Sequence, residues 1–196
     1  LGDRPRPGGA GCVVIDFWVR QPGSGDGVFR ATVGRHPEEI VIGVNFVWDV
    51  IGPGREAPSL ALPTDTVMPN DGPGNPAIGY VNFWPGFDGI VRSAYFWTTI
   101  DQLAGAPAPA EVSPDTPASL ANRGARWLNA PKLAHPVRNT LFRFSGPPGT
   151  FVPIPVYQIF LPDYWKGNFG NGELLRDKVV LVGPAGNWVH DEHPTP

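Results

Sequence analysis

The sequence has one cysteine, Cys12, and one methionine in 196 residues. A single thiol excludes an intrachain disulfide and any metal site built from several cysteines; it leaves the redox compartment open. Basic residues are not in excess, with 15 Lys and Arg against 18 Asp and Glu and no long basic run. The electrostatic footprint of a nucleic-acid-binding protein is therefore missing. Long apolar runs are missing too. The nearest, Ile40 to Ile51, is broken by Asn45 and Asp49, short of the roughly 18 apolar residues of a membrane-spanning helix. The chain opens at Leu1 without a basic-then-apolar leader. The expectation is a processed protein or a piece cut from a longer one.

What is abundant is Gly and Pro, 25 of each, a share that approaches that of low-complexity sequence. Against disorder stand 41% apolar residues, 11% aromatics and a net charge of only −3. A disordered chain shows the opposite balance. This one is expected to fold with long turn-rich connections. Its length matches the ~100–200 residues of one domain and suffices to bury about 70% of the unfolded surface.

Residues 1–11 read as a loose Pro/Gly-rich arm. The run CVVIDFWV, Cys12 to Val19, reads as a buried strand. Asp26 to His36 predicts a short helix with Asp26 as its cap, Val28, Phe29, Thr32 and Val33 on one side, and Pro37 as its stop. Glu39 to Trp48 is a second buried strand, which completes a βαβ unit. Gly52 to Asn75 reads as a long excursion. Runs at 77–84 and 89–98 flank an Asp88-Gly89 turn and predict an antiparallel hairpin. Asp101 to Pro117 reads as a linker, Ser119 to Asn129 as a helix, and Thr140 to Ser145 as a half-buried strand. Val156 to Tyr164 reads as one or two helical turns, and Leu174 to Val182 as a last strand. The fold class is α/β: a single domain with a mixed central sheet, parallel inner strands, one antiparallel hairpin, few short helices and long Pro/Gly-rich loops.

Chemistry-bearing residues are sparse. No G-x-S-x-G elbow occurs, and Cys12 opens a buried strand, where a small core residue is the alternative to a nucleophile. His36 and His135 each precede a proline in turn-like sequence. Neither phosphate-binding glycine motif occurs, and in Gly183-Pro184-Ala185-Gly186 the proline removes a donor amide. The tail NWVHDEH offers His190, Asp191 and His193 as metal ligands; the alternative is an exposed charged segment. Seven Trp invite a sugar-stacking reading, which core or rim packing answers for Trp18, Trp48, Trp84 and Trp97. Asp16 interrupts an apolar strand near its C-terminal end, where open α/β sheets bind ligands. A charge there caps a neighbouring turn or faces a cleft.

Four segments in order resemble the CHASE2 domain family. They are CVVIDFWV with Asp26 and its helix, GYVNFWPGFDGIVRS, FRFSGPPGTF, and LLRDKVVLVGPAGNWVHDEHPTP. The second carries Gly79, Val81, Asn82, Asp88, Gly89, Val91 and Arg92 onto the family's hairpin motif. Three places depart: Asp177 stands where the family has Gly, residues 152–165 are richer in proline and aromatics, and Trp84 to Phe87 alters the approach to the turn. The resemblance implies an extracytoplasmic input domain of a bacterial transmembrane receptor, linked through membrane helices absent from this sequence to a cyclase or kinase output. It implies no enzyme activity and no cofactor. The partner expected is an unidentified small ligand or envelope component, with a homodimer as a further expectation. The ligand site is expected outside the strand C-termini, at Asp16 and Phe17 with Asn187 and Asp191, and with Asn82 as an addition. A metal-dependent envelope hydrolase using Asp16, His190, Asp191 and His193 is the alternative, and a purely structural or dimerising module with partner surfaces at 52–75 and 101–117 is a third reading.

Overall fold

The computed structural model describes residues 10–68, 72–127, 140–141, 143, 145–147 and 149–184. The first strand, β1 (Cys12–Ile15), and the second, β2 (Ile40–Gly52), are rich in Val and Ile, whose branched side chains suit extended, pleated backbone. Helix α1 (Asp26–Arg35) joins them and ends at His36, whose amide donates to the carbonyls of Thr32 and Val33. Pro37 follows and cannot extend the ladder. β1 and β2 pair in parallel, with Val14 opposite Val41, so the predicted βαβ unit is present.

β3 (Arg55–Ala61) folds back antiparallel on the second half of β2. Its turn uses Gly54 at φ 66°, a left-handed value that glycine adopts at no steric cost. β4 (Ile78–Tyr80) pairs in parallel with the first half of β2. β5 (Ser93–Ala94) pairs instead with β6 (Thr140–Leu141) in a small separate sheet. Helix α2 is Ile100–Leu103, α3 is Leu120–Trp127 and α4 is Pro162–Gly167. The last described strand, β7 (Val179–Val182), pairs in parallel with the free side of β1. The main sheet therefore runs β3-β2-β1-β7, with β4 on its own stretch of β2.

Strand alternation divides the core in two. Ile42, Val44, Phe46, Ile78 and Tyr80 pack on one side with Val33 of α1, Val67 and Met68. Cys12, Val14 and Val41 pack on the other under Leu120 of α3. Each such aliphatic side chain contributes about 1.5–3 kcal/mol when fully buried. Tyr80, 1% exposed, keeps its hydroxyl satisfied by donating to the Tyr95 carbonyl at 2.6 Å. Arg123, 6% exposed, donates from Nε to the Ile78 carbonyl at 3.0 Å and from a terminal nitrogen to that of Gly74 at 3.2 Å. Burial, and secondarily Arg126, lowers its pKa to about 10. It ties α3 to the loop that enters β4.

Four expectations are corrected. The runs 77–84 and 89–98 do not form a hairpin: β4 pairs in parallel with β2 and is buried at all three residues. The Asp88-Gly89 turn does form, with Gly86 N–H donating to the Ile90 carbonyl at 3.0 Å and Asp88 paired with Arg92 at 2.8 Å. The antiparallel hairpin is β2–β3, so part of the 52–75 excursion is strand. On α1, Val33 and Phe29 pack inward, while Val28 is 75% exposed. The run from Leu174 is not strand throughout, because Gly170–Leu175 forms a 3-10 turn before β7. Asp177 holds φ 55°; Asp is among the few residues other than Gly that tolerate this region. Residues 1–9 of the predicted arm, Leu128 and Asn129 of the predicted helix, and Phe142 and Phe144 of the predicted strand lie outside the described residues.

Helix α3 reaches the sheet through glycine. A Cβ on Gly79 would stand 2.6 Å from the Leu120 Cα, a backbone atom that cannot swing aside. Gly79→Ala is expected to lower stability by about 1–3 kcal/mol through forced separation of α3 and β4. Gly52→Ala, with open space around the new methyl, serves as the control. Equal urea midpoints for the two variants would refute this account of the packing.

Candidate functional site

β1 ends between two parallel neighbours, and the chain leaves the sheet there. The last ladder bond is Asp16 N–H donating to the Val182 carbonyl at 2.7 Å. Past it, the segment from Phe17 to Gln21 crosses the mouth of α1. A groove of about 760 Å³ opens at this point, walled by Ile15, Phe17, Trp18, Val19, Phe29 and Val67, with Arg20, Gln21, Gly25 and Asp26 completing it. Its place, at the carboxyl end of a parallel strand and the N-terminus of the following helix, is where open α/β sheets take ligands. Its size lies within the range of small-molecule sites.

Two polar groups edge the groove. The Arg20 guanidinium lies over the Trp18 ring, 4.2 Å from its centroid, a cation–π contact that orients a long side chain. The Asp26 carboxylate accepts from Gly23 N–H at 2.9 Å and from the Thr66 hydroxyl. These bonds, the Thr66 one foremost, hold its pKa below the usual carboxylate range. Asp26 is the first residue of α1 rather than its cap; Gly25 holds the cap position without a side-chain bond. The short loop is also tied down by Thr64 N–H donating to the Val19 carbonyl at 2.9 Å.

Asp16 and Phe17 part company at the strand end. Phe17, 41% exposed, lines the groove. Asp16 lies on the α3 side with Cys12 and Val14, between Gly43 and Gly183 of the neighbouring strands. A Cβ on Gly43 would stand 3.4 Å from Asp16 Oδ1, and one on Gly183 3.5 Å from Asp16 Cβ. The expected single cleft is thus two adjacent features on opposite faces, because successive residues of extended chain point to opposite sides.

Asn82 has a different occupation. Its Oδ1 accepts from Phe46 N–H at 2.7 Å, and its Nδ2 donates to the Phe46 carbonyl at 3.0 Å. The carboxamide copies a backbone peptide and extends the β4 edge of β2 by one pairing. Asn82 therefore positions strands. Asn187, His190, Asp191 and His193 lie outside the described residues. Among the described residues no group of three His, Cys, Asp or Glu is placed to hold a metal.

The nucleophile candidates are accounted for. Cys12 is 0% exposed, and burial, with Glu39 second, raises its thiol pKa, the reverse of an activated cysteine. His36 pairs with Glu39 at 2.9 Å on the surface; His135 is outside the described residues. Of the tryptophans, Trp97 is buried and Trp84 packs edge-on against Tyr80 and Tyr95, while Trp48 is 58% exposed on the β2–β3 arm. Missed from sequence were Trp18, Arg20 and Phe29 as groove residues. Their signal was position: they flank a β1-to-α1 crossing.

The described residues thus place an apolar groove at the carboxyl end of the parallel strand β1. The CHASE2 domain profile matches residues 4–196, and the chain belongs to that family, a family of extracytoplasmic sensor domains of receptors. No curated protein and no solved structure matches the chain significantly. No helix among the described residues is long and apolar enough to cross a membrane.

The carboxylate at the groove edge gives a pH test. A depressed folded-state pKa contributes stability that is present above the unfolded value, near 3.9, and lost as pH falls through the folded one. The stability gap between wild type and Asp26→Asn is expected at pH 7 and should narrow below about pH 4. Thermal melts across that range read it; a gap that stays constant to pH 2 refutes the assignment.

Proposed function

We propose that this chain is the extracytoplasmic input domain of a bacterial transmembrane receptor. It binds a small ligand or envelope component and performs no chemistry on it. Family membership supports the sensory role, and the groove beside Phe17 is the observation that carries the ligand-binding reading. Ligand that favours one of two conformations shifts their balance by its difference in affinity. Flanking membrane helices of the full-length receptor would pass that shift to a cytosolic cyclase or kinase. The proposed site comprises Phe17 in the groove and Asp16 on the opposite face of the same strand end, with Asn187 and Asp191 included by their sequence position after β7.

A thermal-shift screen on this chain tests the reading. A ligand present at a hundredfold excess over its Kd adds about 2.7 kcal/mol, a rise of roughly 5–10 °C for a domain of this size. Phe17→Ala is expected to remove most of that rise, and Asp16→Ala part of it. A ligand that stabilises both variants as much as wild type overturns the site.

The homodimer belongs to the same reading. Residues 151–164 present an unusually exposed apolar run, with Phe151 78%, Val152 83%, Phe160 76% and Leu161 43% exposed. Such runs mark contact surfaces, and a second copy of the chain is the partner proposed for it. Sedimentation velocity is expected to show a dimer that Phe160→Glu converts to monomer. A wild-type monomer at high micromolar concentration would sink this part alone.

A further inference from the structure

We infer that the groove at the end of β1 takes an amphipathic carboxylate: an apolar alkyl or aryl body seated among Phe17, Val19, Phe29 and Val67, with its anionic head at Arg20. The inference rests on the ligand-binding reading above and adds the chemistry of the ligand.

Two observations carry it. The first is the shape and chemistry of the walls. Ile15, Phe17, Val19, Phe29 and Val67 leave an apolar trough of about 760 Å³, which favours a hydrocarbon or flat aromatic body over a sugar or a nucleotide. The second is the different state of the two charged groups at the lip. The Asp26 carboxylate is already engaged by Gly23 N–H and the Thr66 hydroxyl. Arg20 makes no ion pair among the described residues, where the pairs are His36–Glu39, Asp88–Arg92 and Glu173–Arg176.

Arg20 is also held in place. Its guanidinium stacks 4.2 Å above the Trp18 ring, so part of the side-chain entropy that binding would cost has already been lost on folding. A stacked guanidinium still presents its in-plane N–H donors, the geometry that matches a carboxylate through two parallel bonds. The Trp18 ring that carries this stack is itself anchored inward, its Nε1 cut off from solvent and without an acceptor among the described residues. Buried donors left in this state are uncommon in folded proteins. The groove thus pairs an apolar seat with the stacked Arg20 guanidinium, and an anionic head completes it.

The test is titration calorimetry on this chain with three probes below their micelle concentrations: decanoate, decan-1-ol and decyltrimethylammonium. Decanoate is expected to bind one-to-one, at least about tenfold more tightly than the alcohol, the equivalent of 1.4 kcal/mol for one charge-assisted contact. The cationic probe is expected to bind weakest. Arg20→Gln should weaken decanoate about tenfold and leave decanol within twofold, whereas Phe17→Ser should weaken both. Decanoate binding unchanged in Arg20→Gln, or a cation that binds as well as the anion, overturns the carboxylate assignment while the groove stands. Failure of all three probes to bind overturns the assignment together with the groove.

Discussion

Strand β1 is the constraint on which the rest depends. It is four residues long and hydrogen-bonded in parallel on both edges, to β2 and to β7. A strand so enclosed has no exposed edge and must be apolar on both faces, which Cys12, Val13, Val14 and Ile15 satisfy. Its shortness matters as much. After Ile15 the chain must leave the sheet at once, and its exit opens the groove between the sheet edge and α1.

Two devices hold the surroundings of that exit. On one face, glycine lets backbone meet backbone: α3 settles on Gly79, and Arg123 reaches beneath to the carbonyls of Gly74 and Ile78. On the sheet edge, Asn82 substitutes its carboxamide for a peptide group and pairs with Phe46. Each device satisfies buried backbone groups where regular pairing has run out. An unsatisfied buried group costs about 1–3 kcal/mol, so these contacts set how far the sheet can be trusted to keep its edge near the groove.

The strand-bearing runs Cys12 to Val19, Glu39 to Trp48 and Leu174 to Val182, the helix between the first two, and the α/β class were legible in the sequence because composition and periodicity are local properties. The hairpin at Asp88-Gly89 was misplaced for a reason equally physical. The turn chemistry there is real and the turn exists, but pairing is decided by competition. Ile78 to Tyr80, buried at all three positions, gain more as a covered strand paired with β2 than as one arm of a half-exposed ribbon. Pro53-Gly54 supplied the turn of the actual hairpin, hidden within what reads as a proline-rich excursion.

For the site, Asp16 and Phe17 were legible as the end of a buried strand interrupted by a charge. That they face opposite ways, and that Trp18, Arg20 and Phe29 gather around Phe17 alone, was not. By itself the sequence determined the strands β1, β2 and β7, the first helix and the family to which the chain belongs, all carried by short runs of side-chain pattern. Only the tertiary structure decided which strands are neighbours, which glycines are close contacts and which aromatic residues share a groove. Those outcomes depend on free energy summed over residues far apart in the chain, and no local pattern records that sum.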